Sequence, residues 1–144
     1  FKLRNVVDKK IIKYMAYTVK MSVRDYECDL QGIVNNAVYQ NYLEHARHLY
    51  LQSKGIDFSK LHKQGHDLVI TSCKIEYLES LRSGDDFLIG LRVSRMGRIR
   101  FIFDQEIQRP NGNIVLTSNF VGTCLNHSGR PGFPLEVNAL FEAS

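Results

Sequence analysis

The stretch Val23-Arg-Asp-Tyr-Glu-Cys-Asp29-Leu-Gln-Gly32-Ile-Val-Asn35-Asn36-Ala-Val-Tyr39 joins two different hydrophobic periods. On its N-terminal side Tyr17, Val19, Met21 and Val23 alternate with polar residues, which predicts a strand over 17–25. On its C-terminal side Tyr39, Leu43, Ala46 and Tyr50 recur at helical spacing, which predicts a long helix from about Asn35 to Lys54. Asn35 suits the N-cap and Gly55 the stop after the last turn. Between the two lies a Gly-containing turn that begins at Asp29. A carboxylate is thereby expected beside the unpaired N–H groups of a helix N-terminus. Such groups stabilise negative charge, and a carboxylate there serves as base or nucleophile. Base plus anion hole is the minimal equipment for hydrolysing an acyl bond.

Downstream, residues 56–67 read as a connector with a short helical turn around Phe58–Gln64. Nearly everything after it is strand. Residues 68–81, 87–93, 99–107 and 114–124 alternate, with turn chemistry at Ser83-Gly84-Asp85, Met96-Gly97 and Pro110-Asn111-Gly112-Asn113. A tail from Ser128 to Pro134 turns the chain, and Leu135–Phe141 fits a short helix. The predicted class is α+β: a strand, one long helix, then four long antiparallel strands joined by short turns. A single amphipathic helix buries its apolar stripe only by lying across the sheet. The other face and the edges stay open, which favours self-association.

At 144 residues with 44% hydrophobic and 24% charged, the chain is sized for one globular domain. No apolar run reaches the roughly 20 residues that cross a bilayer. The chain begins at Phe1 rather than Met, which fits a processed or trimmed form. The net charge of +4 is concentrated at the start, where residues 1–24 hold seven Lys or Arg and one Asp. Residues 1–15 therefore read as a basic extension and 16–144 as the domain. A second cluster, Arg92, Arg95, Arg98 and Arg100, lacks an intervening acid, and suits a phosphate-bearing or acidic partner. Neither cluster carries a recognition helix or stacking motif, so nucleic acid is not the expected partner.

Cys28, Cys73 and Cys124 are odd in number and lack metal-ligand spacing, which argues for a reducing compartment without a structural disulfide. Cys73 and Cys124 fall in strand-like stretches and read as core residues. His45 and His48 are not adjacent to Asp29, and His62, His66 and His127 read as solvated loop residues, so no metal site is expected. Glu44 and Arg47 are spaced as an i,i+3 pair. Tyr39, on the apolar face of the helix, is either core or pocket lining.

The run Asp29-x-x-Gly32-Ile33-Val34-x-Asn36-x-x-Tyr39, followed by Glu44 and Arg47, resembles the hotdog-fold thioesterases of the 4-hydroxybenzoyl-CoA thioesterase type. Ile75-Glu-Tyr77, Arg82-Ser-Gly-Asp85, Gly129-Arg-Pro and Pro134 add to the likeness, which covers roughly residues 16–135. The wording Val-Asn-Asn-Ala-Val-Tyr with His-Ala-Arg-His is similar to plant plastid acyl-ACP and acyl-lipid thioesterases, related to those of methylketone synthesis. The resemblance implies a long antiparallel sheet wrapped around one central helix, in homodimers that often pair into homotetramers. It implies hydrolysis of CoA or acyl carrier protein thioesters at the subunit interface, without metal or cofactor, and a plastid stroma location. Asp29 takes the place of the catalytic carboxylate, and the backbone N–H near Asn36 that of the group receiving the thioester oxygen. Gly32, Asn35, Tyr39 and Glu44 fall around that site. Arg82, Arg95, Arg98, Arg100 and Arg130 are candidates for docking phosphopantetheine or an acidic carrier.

The expected reaction is hydrolysis of fatty acyl- or β-ketoacyl-ACP. Asn36 departs from relatives with His at this position, and its amide cannot act as a general base. Two other readings remain: an aromatic acyl-CoA thioesterase of the hydroxynaphthoyl or hydroxybenzoyl kind, and a non-catalytic acyl-binding module of the same fold.

Overall fold

The computed structural model describes residues 15–141; the basic stretch over residues 1–14 lies outside them. Five strands form one antiparallel sheet: β1 (Tyr17–Ser22), β2 (His66–Tyr77), β3 (Asp86–Met96), β4 (Arg100–Gln108) and β5 (Ile114–Asn126). Two helices intervene between β1 and β2, namely α1 (Asn36–Ser53) and α2 (Phe58–Lys63). Short 3₁₀ segments follow β1 at Asp25–Glu27 and close the domain at Leu135–Phe141. Every predicted element is present, with boundaries shifted by a few residues. Asn35 caps α1 by accepting from the Ala37 N–H, and Gly55 ends it at φ +74°.

The strand order is β1-β3-β4-β5-β2. Short turns after residue 68 suggest consecutive hairpins, but β2 and β3 are not neighbours. β2 pairs with β5 at one edge, while β1 supplies the other edge against β3. The segment between β2 and β3 is instead pinned beneath the N-terminus of α1. The Val34 N–H donates to the Leu81 carbonyl, and the Leu81 N–H donates to the Tyr39 hydroxyl. Leu81 has no exposed surface. A buried backbone segment must have its polar groups paired, and here the helix start and its Tyr provide the partners.

The apolar stripe of α1 lies against the sheet, as amphipathicity requires. Tyr42 meets Phe87 of β3 at 4.8 Å between ring centroids, and Tyr50 meets Phe103 of β4 at 6.5 Å. The Tyr50 hydroxyl donates to the Leu140 carbonyl, fixing the C-terminal segment to the same helix. In β5, Gly122 permits a close crossing, since a Cβ there would fall 2.5 Å from the Phe101 ring and 2.6 Å from the Val69 carbonyl. Cys124 is fully buried, and burial, reinforced by the Asp67 carboxylate, pushes its thiol up to about 11. Cys73 is not core: it lies exposed on β2, whose outer edge has no strand partner among the described residues.

Candidate functional site

After β1 the chain is clamped twice before it reaches Asp29. Val23 exchanges backbone bonds with the Gly84–Asp85 turn, its N–H donating to Asp85 and its carbonyl accepting from Gly84. One turn later Glu27, 8% exposed, accepts from the Arg24 N–H at 2.8 Å, the Arg24 guanidinium at 3.1 Å and the Tyr42 hydroxyl at 2.8 Å. Burial pushes the Glu27 carboxyl up, but these donors outweigh it and hold the carboxyl below its ordinary value. Burial, and then the bond to Glu27, push the Tyr42 phenol up. The Glu27 carbonyl also accepts from the Asn35 N–H, so this residue ties the approach to the site to both the middle and the start of α1.

Asp29 opens a tight loop. Its N–H donates to the Ile33 carbonyl at 2.9 Å, its carbonyl accepts from Gly32, and Cys28 bridges to Val34. Its Oδ1 accepts from the Gln31 N–H at 2.8 Å and the Ile33 N–H at 3.4 Å. Gly32 sits at φ +81°, a conformation that strains any residue with a Cβ. The carboxylate is exposed, with its second oxygen making no bond within the described residues. Two residues past the loop α1 begins. Asn35 caps the Ala37 N–H with its side chain and the Val38 N–H with its carbonyl. The Asn36 N–H is left without an acceptor among the described residues, at the positive end of an 18-residue helix. Asp29 and Asn36 thus belong to one loop-and-helix start in which the N–H groups of Asp29, Gln31, Gly32, Ile33, Val34 and Asn35 are all bonded.

The remaining predicted residues divide by position. Tyr39 is enclosed, 2% exposed, with its hydroxyl accepting from Leu81 and its ring packed on Tyr42 and Tyr77; burial raises its pKa. Arg82 bridges to Ile33, and a Cβ on Gly32 would meet its Nη1 at 3.8 Å, so its guanidinium lies against the Asp29 loop. Arg95, Arg98 and Arg100 are elsewhere. They flank the β3–β4 turn, at the far end of a strand that runs about 33 Å from Asp86. Arg95 stacks over Phe133 and Phe141 and binds Asn138, which occupies it with the C-terminal segment. Arg92 pairs with Asp104 at 3.3 Å. Arg130 is in the turn after β5, where its backbone pairs with Asn126.

Glu44 lies two turns along α1 from Asn36, about 12 Å along the axis. It does not form the expected pair with Arg47; its partner is His48, one turn on, at 3.6 Å. Arg47 turns inward instead. It donates to the Gln105 side chain at 2.9 Å and lies 4.2 Å over the Phe120 ring, and burial disfavours its charge. Beside it a groove of about 240 Å³ opens between α1, α2 and the sheet, walled by Phe58, Leu68, Ile70, Phe101 and Phe103.

Two structural groups escape sequence reading. Glu27 looks like one more charge in a polar run; only the burial of Tyr42 opposite makes it a clamp. Arg109 bonds Asp85 at 3.1 Å and the Ser80 carbonyl at 2.7 Å, bracing the segment that carries Arg82. Nothing local in the sequence marks either. The histidines also move: His62 is in α2, His66 begins β2, and only His127 is in a turn.

Residues 23–141 match the sequence profile of the thioesterase-like superfamily. The chain is 39% identical over 116 residues to the chloroplastic acyl-acyl carrier protein thioesterase ATL3 of Arabidopsis thaliana, covering 80% of this chain and 61% of the relative. To ATL2 of the same plant it is 37% identical over 127 residues, covering 87% and 68%. The chain thus spans under two-thirds of the length of the first of these and little more of the second. A crystal structure of a 1,4-dihydroxy-2-naphthoyl-CoA thioesterase from Synechocystis superposes with a TM-score of 0.82 over 86% of this chain and 93% of that one, at 16% identity. That likeness establishes the architecture, the hotdog fold.

Proposed function

Because the chain belongs to the thioesterase-like superfamily, we propose that it hydrolyses acyl thioesters, with fatty acyl or β-ketoacyl groups on acyl carrier protein as its substrate class. The observation that carries this reading is the Asp29 loop, where an exposed carboxylate and the unpaired Asn36 N–H are held by the same short segment. In this reading Asp29 attacks the thioester carbonyl or takes the proton of an attacking water. The developing oxyanion is received by the Asn36 N–H and the positive end of α1, and the thiolate leaves without acid assistance. A preorganised donor of this kind contributes about 3 kcal/mol to the transition state.

The acyl tail is assigned to the apolar groove beside α1, with Glu44 and Arg47 at its polar lip. Arg82, against the loop, is the cation placed to meet phosphopantetheine or an acidic carrier. The outer edge of β2, with Ile70 and Tyr77 exposed and Leu78 exposed just beyond it, favours joining of two sheets into homodimers that pair further into homotetramers. A plastid location is part of this reading, supported by the chloroplastic relatives; no helix among the described residues is long and apolar enough to cross a membrane.

Product analysis tests the reading. The purified protein is offered acyl-ACP, acyl-CoA and dihydroxynaphthoyl-CoA, and the released acids are identified by mass spectrometry. Free fatty or β-keto acids from the ACP thioester are expected. Asp29→Ala should lower turnover by about 10²–10⁴-fold, while Asp29→Asn, which keeps an acceptor for the Gln31 N–H, should be equally inactive with an unchanged melting temperature. Undiminished hydrolysis in both variants defeats the assignment of Asp29, and preference for the aromatic CoA thioester defeats the substrate class.

A further inference from the structure

At the end of the sheet opposite Asp29, three residues remote in sequence converge. His62 lies in the last turn of α2, Asp67 is the second residue of β2, and His127 occupies the turn after β5. One donor atom from each lies within 4.8 Å of the other two. His62 Nδ1 is 2.7 Å from Asp67 Oδ1, His127 Nε2 is 3.9 Å from Asp67 Oδ2, and the two imidazole rings are 5.3 Å apart.

We propose that His62, Asp67 and His127 form a binding site for one divalent ion of the zinc class, independent of the thioester site. Two imidazoles and a carboxylate are the donor set of late first-row metals, whereas Mg²⁺ and Ca²⁺ take shells of oxygen. Three protein donors leave a fourth position for water. A hydrogen bond between Asp67 and one ring uses only part of the cluster; one divalent ion would take a lone pair from all three donors together.

The backbone under the donors is already set. Gly65, at φ +91°, folds the chain between His62 and Asp67, and its N–H closes on the His62 carbonyl at 3.0 Å. A Cβ on Gly65 would meet the His127 ring at 3.8 Å, so that ring packs on the same turn. His127 is held by Asn126, whose side chain accepts from the Ser128 and Arg130 N–H groups. Asp67 is paired with Leu125, and His66 with Asn126, in the sheet. The side chains are free to close, with 67%, 44% and 56% of their surfaces exposed for His62, Asp67 and His127. Donors of a tetrahedral zinc site stand about 3.3 Å apart, so closure asks only for side-chain rotation. The ion would clip the end of α2 to β2 and β5. Since α2 carries Phe58 into the groove beside Arg47, the clip would stiffen one wall of that groove.

The test uses untagged protein, titrated with Zn²⁺ by calorimetry and with Co²⁺ by visible absorption. One ion per chain, a Co²⁺ ligand-field band and a raised melting temperature with Zn²⁺ are expected. His62→Ala and His127→Ala should each weaken binding by at least about tenfold. The double variant should lose the Co²⁺ band and the Zn²⁺-dependent melting shift while keeping its metal-free melting temperature and its hydrolysis rate. Glu44→Ala/His48→Ala should bind as the unaltered protein does. Absence of a Co²⁺ band overturns the site, as does a band that survives in the His62/His127 double variant or vanishes in the Glu44/His48 one.

Discussion

The two ends of the sheet differ in how deeply the charged side chains that close them are buried. At the Asp29 end the chain is held by backbone pairs and buried polar groups: Val23 with Asp85, Val34 with Leu81, Asn35 with Glu27, and the Glu27–Tyr42 contact beneath them. At the opposite end the backbone is paired as well, Asn126 with Arg130 and Gly132 with Cys124, but the charged side chains that join the segments there are exposed or half-exposed: Arg95 over Phe133 and Phe141, and the His62–Asp67–His127 group. Backbone and buried bonds leave one geometry, which suits a site that must present a carboxylate and an N–H without reorganisation. Exposed side chains adapt cheaply, which suits capture of an ion from solution. Rigidity is placed where the proposed chemistry needs it, and adjustability where it does not.

The sharpest way to break this contrast is at Glu27. Glu27→Ala leaves the Tyr42 hydroxyl and the Arg24 N–H without their buried acceptor, and should cost on the order of 3 kcal/mol of stability in denaturant unfolding. Its depressed carboxyl has a definite pH signature. The stabilisation is present in full above the unfolded pKa of about 4.3 and is lost as pH falls through the lower folded value. Glu27→Gln should therefore be less stable than the unaltered protein at neutral pH, and its stability should fall less steeply below about pH 4.5. Parallel acid-unfolding profiles would show that Glu27 is not the clamp.

A smaller effect separates the arginines. Arg82→Ala should raise KM for an acyl-ACP substrate about tenfold, roughly 1.4 kcal/mol, with kcat little changed. Arg98→Ala, at the far end, should leave both unaltered in steady-state assays. Equal losses at the two positions would mean that the carrier contacts both ends of the sheet. The smallest effect is expected at Arg95. Arg95→Leu keeps much of the apolar packing on Phe133 and Phe141 but removes the cation–ring contacts, which should lower stability by about 1 kcal/mol with hydrolysis unchanged. A loss as large as that at Glu27 would show that the far end is closed as firmly as the near one.

Local signals were strong wherever one element sufficed to express them. The alternation from Tyr17 to Val23, the helical spacing from Tyr39 to Tyr50, the Asn35 cap and the Asn111-Gly112 turn follow from steric and hydrogen-bonding rules acting over a few residues. Asp29 was legible as a candidate for the same reason, because the turn and the helix start that hold it are contiguous in the chain. Position in the sheet was not. β2 and β3 are joined by a turn-forming segment, yet β2 pairs with β5, since placing β2 there lets the connector satisfy the start of α1 and bury Leu81. That pairing also exposes Cys73 and brings Asp67 beside the turn that bears His127, while the antiparallel pairing of β1 with β3 carries Arg95, Arg98 and Arg100 to the end away from Asp29.

Taken alone, then, the sequence determined the elements, their caps and turns, and the loop in which a carboxylate precedes a helix N-terminus, all set by contacts between near neighbours in the chain. Only the tertiary structure decided which strand lies on the edge, which arginine reaches the Asp29 loop, that Glu27 is a buried clamp, and that two distant histidines share one aspartate. Those depend on which surfaces are removed from water together, a property of the folded chain as a whole.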